Sequence, residues 1–174
     1  MRKFFCFVSL LLLLSIPLGN VSAKDISNKD TNLFNGNEEI VQVFNYSNQR
    51  LYITQNDVNL MAKVVYAESN GEPFEGQVAV ASVILNRLTY PRFPKTVEGV
   101  VKQSGAFSCV RNGNIDVVPS QSNYKAVSQA LKGQDPTNKA VFFYNPRIAT
   151  STWMKDINKR NIKIIGNHVF FIAD

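Results

Sequence analysis

Histidine and cysteine are scarce in this sequence, which contains one histidine and two cysteines among its 174 residues. A zinc site needs several histidine or cysteine ligands, so the composition argues against a zinc-dependent peptidase or amidase. The sequence also has no glycine-rich phosphate loop and no Gly-x-Ser-x-Gly nucleophile elbow. We therefore expect a protein that uses neither a metal ion nor a cofactor.

A long run of basic residues is missing as well. The formal net charge is +6, and it falls to +4 if the first 23 residues are removed, because Arg2 and Lys3 leave with them and no acidic residue does. This mild, dispersed excess argues against a nucleic-acid groove, which needs clustered Lys and Arg. It suits an exported protein that acts on an anionic polymer such as a cell wall.

The first 23 residues have the features of a signal peptide. Arg2 and Lys3 precede an apolar run from residue 4 to about residue 18, and Val21-Ser22-Ala23 supplies the small residues that signal peptidase accepts. We predict cleavage after residue 23 and secretion across the membrane, with no stable membrane insertion afterwards. A retained anchor is the weaker alternative, because the run is short for a membrane span.

The rest of the chain divides by composition. Residues 24–50 are rich in Asn, Asp, Ser and Lys and predict a flexible polar tether, although Ile40 to Ile53 favours one or two short extended segments against the domain. Residues 51–174 predict one folded domain, which we expect to be monomeric. Helical patterns come first and β-rich segments last, so the predicted fold class is α+β, a helical core with a small antiparallel sheet.

Two helices dominate the pattern. Apolar residues at three- and four-residue spacing predict a helix over 57–67, with a Thr54–Asp57 capping box before it and Asn70-Gly71 after it. A second helix, apolar nearly all round, opens at Pro73 and should be the buried central helix. Further expectations are helices capped by Thr96 and Ser122, a turn at Asn112-Gly113, strands over 140–144 and 162–165, and a hairpin turn at Gly166-Asn167.

Glu68 is the candidate catalytic residue. Leu60, Val64 and Glu68 follow one another at four-residue spacing, so Glu68 lies on the same face of the helix as the core residues, one turn beyond the last of them. Burial and the negative end of the helix dipole both disfavour an ionised carboxylate there, which favours a protonated general acid. The alternative is an ordinary solvated glutamate at a helix end.

A single acid suffices if the substrate supplies its own nucleophile. The C6 hydroxyl of muramic acid can do so by closing a 1,6-anhydro ring, while one glutamate first protonates the leaving oxygen and then accepts a proton. Attack by water would need a second carboxylate, for which Glu72, Glu75 and Asp116 are the candidates. A Cys109–His168 nucleophile pair is a further alternative, disfavoured because no helix follows the cysteine to activate its thiol.

Several motifs follow one another between residues 56 and 172. They are Leu60-Met61-Ala62, Tyr66-Ala67-Glu68-Ser69, Gly71-Glu72-Pro73, Gly76-Gln77-Val78-Ala79-Val80-Ala81, Leu85-Asn86-Arg87, Phe93-Pro94-Lys95-Thr96-Val97 and Phe107-Ser108. In this order they resemble the SleB/CwlJ-like cell-wall hydrolases, the spore cortex-lytic enzymes. The resemblance implies a lysozyme-like or transglycosylase-like fold in the catalytic domain, with Glu68 as acid/base.

The same resemblance implies the substrate. It implies that the protein acts on the glycan strands of cortex peptidoglycan and cuts them beside muramic acid or muramic-δ-lactam during spore germination. It also implies that the protein is located in the cell wall, spore cortex or coat. Three other functions stay open at this point: an N-acetylmuramoyl-L-alanine amidase, a general wall hydrolase, and a noncatalytic peptidoglycan-binding module.

The candidate substrate-binding residues accompany Glu68 in these motifs or occupy loop positions. They are Ser69, Gln77, Phe107, Ser108, Tyr144 and Asn145. The first would complete a Glu-Ser pair, and the tyrosine would present its ring from the end of a strand. The alternatives are that aromatic residues at such positions are core residues, and that Gln77, Asn86 and Arg87 satisfy buried backbone.

Overall fold

The computed structural model describes residues 42–174, and none of the helices in this part combines the length and apolar character that a membrane crossing requires. The predicted signal peptide and residues 24–41 of the predicted tether lie outside the described residues. In chain order the elements are β1 (Gln42–Tyr46), β2 (Gln49–Ile53), α1 (Gln55–Ser69), α2 (Phe74–Thr89), α3 (Val97–Lys102), α4 (Gln121–Leu131), β3 (Phe142–Tyr144), α5 (Thr152–Asp156), β4 (Lys159–Ile165) and β5 (His168–Ala173). A helical core with a small antiparallel sheet confirms the predicted α+β class.

β1 and β2 pair as an antiparallel hairpin that contributes to the core. Tyr46, Leu51 and Ile53 are buried, and the Tyr46 hydroxyl donates a hydrogen bond of 2.8 Å to Asn86 Oδ1 in α2. The extended segments predicted before residue 54 are therefore present. β1 lies before the predicted domain boundary at residue 51 and ends in the buried Tyr46, so this strand packs with the folded unit.

α2 is the central helix, as its apolar pattern predicts. Every residue from Gly76 to Leu88 is buried, and α1, α3 and α4 pack around the helix. Near its end, Asn86 Nδ2 donates to the Ala140 carbonyl at 3.0 Å, and Arg87 Nε donates to the Val141 carbonyl at 2.8 Å. These bonds satisfy the backbone just before β3 and join the helical core to the sheet.

Capping boxes fix the starts of two helices. Before α1, Thr54 Oγ1 accepts from the Asp57 N–H at 3.0 Å, and the aspartate carboxylate accepts from the Thr54 N–H at 2.9 Å, as predicted. The predicted cap of α4 at Ser122 is wrong by two residues: Ser120 is the cap, and Asn123 Oδ1 accepts from its N–H at 2.7 Å. α5 has no counterpart among the predicted elements, because its five residues include none that is buried and so show no apolar period.

β3, β5 and β4 form an antiparallel sheet with β5 in the centre. Phe143 stacks on Phe170 on one face and Phe142 stacks on Phe171 on the other, each pair with ring centroids 5.6 Å apart. Phe143 packs against the helical core, and Phe171 on the opposite face is fully buried, so both faces of the sheet are covered here. The predicted hairpin turn at Gly166-Asn167 joins β4 to β5.

Glu72 ties the end of α1 to this turn. Its Oε2 accepts a hydrogen bond of 2.9 Å from the Asn167 N–H, and its Oε1 accepts one of 3.1 Å from Asn167 Nδ2. Gly166 is left-handed, with φ +59°, and a Cβ at that position would overlap Glu72 Oε2. Both the backbone conformation and the space at residue 166 therefore require glycine.

We expect Gly166→Ala to lower the free energy of unfolding by about 3 kcal/mol, because left-handed strain of roughly 1–2 kcal/mol is joined by loss of the Glu72 contact. Gly105→Ala is the matched control, since Gly105 is also left-handed, with φ +71°, and a Cβ there meets no atom within 4 Å. Urea unfolding of the two variants should differ by at least about 1 kcal/mol. Equal losses would show that the Glu72 contact adds no stability.

Candidate active site

Glu68 lies in the last turn of α1 and is half-buried. Its Oε1 accepts two hydrogen bonds from the segment after α3, one of 3.1 Å from Ser108 Oγ and one of 3.2 Å from the Cys109 N–H. Within residues 42–174 no hydroxyl or backbone donor reaches its Oε2. The structure thus brings Glu68 and Ser108 together, fixes the carboxyl group, and leaves one of its oxygens available.

A buried arginine adds positive charge to this site. Arg87 is 3% exposed, and its guanidinium is enclosed by three aromatic rings, with Cζ 4.9 to 5.8 Å from the ring centres of Phe107, Phe93 and Phe142. Burial lowers the pKa of Arg87 to about 10, and the negative charge of Glu68 acts in the opposite direction. The guanidinium is therefore a cation at neutral pH. The position of this charge has no signature in the sequence, because helical spacing does not show which residues of other elements surround a side chain.

Ser69 and Gln77, two of the residues predicted to bind substrate, are buried in the helical core. Ser69 is 2% exposed, and its hydroxyl donates a hydrogen bond of 2.7 Å to the Val65 carbonyl. Gln77 is 7% exposed, and its Oε1 accepts from Asn123 Nδ2 of α4 at 3.1 Å. Consecutive helix residues point about 100° apart, so the neighbour of the half-exposed glutamate turns inward.

Phe107, which is also predicted to bind substrate, packs among other side chains of the site. It is 5% exposed and lies between Arg87 and Phe143, with its ring centre 6.3 Å from that of Phe143. The next residue, Ser108, is exposed and bonds to Glu68. One residue of this predicted pair therefore packs beneath the carboxyl group and the other contacts it.

Tyr144 and Asn145 lie at the end of β3 and are not brought to the candidate acid. The Tyr144 ring meets Phe171 edge-on with centroids 5.9 Å apart, which places it on the sheet face opposite Phe143. Asn145 Oδ1 accepts from the Arg147 N–H at 3.0 Å and so closes a local turn. Strand alternation explains the placement of the Tyr144 ring, since adjacent residues of a strand face opposite ways.

The thiol of Cys109 is poorly suited to act as a nucleophile. Burial, the negative charge of Glu68 and a hydrogen bond to Glu68 together raise the pKa of Cys109 to about 12. The thiolate is the reactive form of cysteine, so the group is almost entirely unreactive at neutral pH. His168, the other member of the alternative nucleophile pair, faces Glu72 and Phe143. The geometry therefore argues against cysteine chemistry.

Glu72 and His168 form a buried pair that the sequence analysis does not identify. His168 Nδ1 lies 3.8 Å from Glu72 Oε1, and the two side chains are 10% and 9% exposed. Burial lowers the pKa of His168, and the charges of Glu72 and Glu68 act to raise it. Burial would raise the pKa of Glu72, but hydrogen bonds from Asn167 and the charge of His168 hold it below its ordinary value. At neutral pH the pair is a neutral imidazole beside a carboxylate.

Other features of the domain do not coincide with the Glu68 carboxyl. Residues 42–174 contain no group of three or more His, Cys, Asp or Glu side chains arranged to hold a metal ion. A cleft of about 370 Å³ lies between the start of α1, α3 and residues 113–115, and another of about 390 Å³ lies between the start of α2 and residues 134–136. Glu68 lines neither of these two clefts.

Comparison with known proteins identifies similar sequences. The model of the Cell Wall Hydrolase family matches residues 71–171, more than half of the chain, in a range that begins just after Glu68. The chain is 46% identical over 147 residues to the Spore cortex-lytic enzyme of Bacillus cereus, aligned over 84% of this chain and 50% of that protein. It is 45% identical over 117 residues to the Spore cortex-lytic enzyme of Bacillus subtilis, aligned over 67% of this chain and 38% of that protein. The chain spans half or less of the length of these curated relatives.

Two solved structures are similar to the domain. The catalytic domain of the Bacillus cereus SleB protein has 49% identity and a TM-score of 0.61, covering 68% of this chain and 91% of that chain. The catalytic domain of the germination-specific lytic transglycosylase SleB from Bacillus anthracis has 48% identity and a TM-score of 0.64, covering 69% of this chain and 97% of that chain. The similarity extends over nearly the whole of both catalytic domains.

We expect Cys109 of the folded protein to react with iodoacetamide at least about 100-fold more slowly than a cysteine in an unstructured peptide, because its thiolate is suppressed. Concentrated urea should raise the rate to that of the peptide, which provides an internal control. Mass spectrometry of the alkylated fraction over time measures both rates. A rate that does not change on unfolding would contradict the raised pKa of Cys109.

Proposed function

The chain belongs to the cell wall hydrolase family, and from that membership we propose that it is an enzyme that cleaves the glycan strands of peptidoglycan. We propose spore cortex as the substrate, cut beside muramic acid or muramic-δ-lactam during germination by a lytic transglycosylase reaction with Glu68 as acid/base. The observation that carries this proposal is the Glu68 carboxyl group, whose Oε1 is held by Ser108 and Cys109 while no hydroxyl or backbone donor within the described residues reaches Oε2.

The relatives support the type of reaction. The Bacillus anthracis structure is described as a germination-specific lytic transglycosylase, and the Bacillus cereus and Bacillus subtilis relatives are described as spore cortex-lytic enzymes. This chain corresponds to nearly all of the solved catalytic domains but to half or less of the full-length relatives. We therefore base the proposed reaction on the similarity to the solved catalytic domains. We base spore cortex as the proposed substrate on the descriptions of the full-length relatives.

In the proposed reaction Glu68 acts twice. Its carboxyl group first donates a proton to the glycosidic oxygen as the bond between that oxygen and C1 of muramic acid breaks. The C6 hydroxyl of the same muramic residue then attacks C1, and the Glu68 carboxylate takes up the hydroxyl proton. The products are a 1,6-anhydromuramic end and a free sugar hydroxyl. No water is consumed, and Glu68 returns to its starting protonation state.

The other carboxylates support a mechanism with one acid. Hydrolysis would need a second carboxylate roughly 5–9 Å from the first. Both oxygens of Glu72 accept hydrogen bonds from Asn167, and Glu75 and Asp116 are exposed. Glu72, the nearest of the three in sequence, is thus committed to the β4–β5 turn and is unavailable to activate a water molecule.

We also propose that residues 1–23 direct export and are then removed, so that the domain works as a monomer in the cell wall or spore cortex. The support is the sequence pattern, in which basic residues, an apolar run and small residues follow one another before residue 24.

Glu68→Gln should lower turnover of purified cortex peptidoglycan by at least ~100-fold, because the amide keeps an acceptor for Ser108 and Cys109 but has no proton to transfer. Glu75→Gln, which removes an exposed carboxylate in the first turn of α2, is the matched control and should stay within about twofold of wild type. Release of soluble fragments measures turnover, and thermal unfolding checks that both variants are folded. Wild-type turnover by folded Glu68→Gln would disprove the assignment.

The mass of the product ends distinguishes the reaction types. An anhydro end is lighter by one water than the reducing end left by hydrolysis, and we expect mass spectrometry of the soluble fragments to show anhydro ends. Reducing ends alone would identify a hydrolase and would call for a search for the second carboxylate. Free stem peptides with an intact glycan strand would identify an amidase.

A further inference from the structure

Trp153 is the only tryptophan of the chain, and the proposed reaction does not use it. It lies on α5, a helix of five residues in which no residue is buried, and it is itself 47% exposed. Burial of an aromatic ring stabilises a fold in proportion to the area removed from water, so a half-exposed tryptophan contributes only part of what its size allows. An exposed ring of this size is instead typical of a binding surface.

Trp153 stands at one end of a row of four aromatic rings. The indole meets the Phe142 ring edge-on with centroids 5.4 Å apart, the Phe142 ring lies 5.9 Å from that of Phe93, and Phe93 meets Tyr90 edge-on at 6.0 Å. None of these four residues is fully buried. We call Tyr90, Phe93, Phe142 and Trp153 the aromatic row. It runs from the end of α2 through the following loop and β3 to α5.

Arg87 connects the aromatic row to the loop that holds the candidate acid. Its Cζ lies 5.2 and 5.8 Å from the centres of the two middle rings of the row, and 4.9 Å from the centre of the Phe107 ring. The residue after Phe107 is Ser108, which donates to Glu68 Oε1 at 3.1 Å. One buried side chain therefore packs against both the aromatic row and the loop that orients Glu68.

The chemistry of the aromatic row suits a carbohydrate chain. The face of a pyranose ring carries C–H groups and its edge carries hydroxyl groups, so the face can pack on an aromatic ring while the hydroxyl groups stay in water. Several rings in a row can each meet a different sugar of one strand. The loop that carries Tyr90 and Phe93 also carries Arg92 and Lys95, both exposed, and residues 90–96 include no acidic residue. This positive charge suits a strand that bears carboxylates, as peptidoglycan does.

We propose that the aromatic row binds the glycan strand of peptidoglycan away from the bond that is cut, with Trp153 as its most exposed platform. This inference rests on the proposed function, because the strand is the proposed substrate. The sugars held by the row do not react, so the row holds the substrate and the transition state equally well. It therefore lowers KM for long strands and leaves kcat unchanged.

The first test uses the fluorescence of Trp153, which as the only tryptophan reports on this position alone. Folded Glu68→Gln, which should bind the strand without cutting it, is titrated with soluble glycan strands prepared from cortex peptidoglycan. We expect the emission to move to shorter wavelength and acrylamide quenching to weaken, because a sugar that covers the indole excludes water from it.

The second test is substitution of the tryptophan. Trp153→Ala should weaken co-sedimentation with cortex peptidoglycan about tenfold and raise KM by a similar factor, with kcat within about twofold of wild type. Trp153→Phe keeps a ring and should restore most of the affinity. Tyr52→Ala is the matched control, because it removes a 65% exposed ring of β2 that lies outside the aromatic row, and it should bind as wild type does.

Unchanged emission when the strands are in excess, or unchanged affinity in folded Trp153→Ala, would overturn the inference, and the proposed function would stand if wild type still cuts cortex and Glu68→Gln does not. Wild-type turnover by folded Glu68→Gln would disprove the proposed role of the acid, and weaker binding by Trp153→Ala would still support the aromatic row. If Trp153→Ala does not fold, the emission of the protein that keeps its tryptophan decides: a shift supports the inference, and an unchanged spectrum overturns it.

Discussion

The buried guanidinium of Arg87 is the constraint on which the rest of the domain depends. Taking a charge out of water is costly unless hydrogen bonds and opposite charge surround it. Here Nε donates to the Val141 carbonyl, three aromatic rings face the guanidinium, and Glu68 supplies negative charge. These partners come from the segment before the sheet, from loops on both sides of α3, and from α1. Arg87 Nη1 is buried without a hydrogen-bond partner in residues 42–174, so the guanidinium depends on these contacts. They are present together only when the helices, the loops and the sheet are assembled, and the candidate site forms as part of that assembly.

Glu68 and Glu72, four positions apart in the sequence, have different roles in this assembly. Glu72 has both oxygens bonded to Asn167 and its position fixed by the absence of a side chain at Gly166, so it stabilises the β4–β5 turn. Glu68 has Oε1 engaged by donors of a loop and is half-buried. A carboxyl group that transfers protons needs a fixed orientation and one oxygen that substrate can reach. Of the two, Glu68 alone meets both conditions, although nothing in their spacing along the chain distinguishes them.

Sequence patterns predict the elements of this fold better than the contacts between them. The capping box at Thr54 and the hairpin turn at Gly166-Asn167 depend on residues a few positions apart, and both are present. The hydrogen bond from Ser108 to Glu68 joins residues that are 40 positions apart in the sequence. No periodic pattern in the sequence predicts this contact, and the two residues are predicted to share a site from the family resemblance alone. The run Phe142-Phe143-Tyr144 is aromatic throughout, so the alternation that sends its middle ring to one face of the sheet and its last ring to the other has no signature in the sequence.

The acid and the residues that surround it lie on different elements of the chain. Glu68 is in the last turn of α1, Arg87 is on α2, and Ser108 and Cys109 follow α3. The acid and its surroundings therefore come from separate segments and meet only in the folded domain. Because both donors to the carboxyl group belong to one exposed or half-buried loop, its conformation sets the direction of Oε2. A change in the conformation of that loop would reorient the Glu68 carboxyl group while the residue stays a glutamate. The chemistry of the site therefore depends on the contact between the end of α1 and the loop, and not on the glutamate alone.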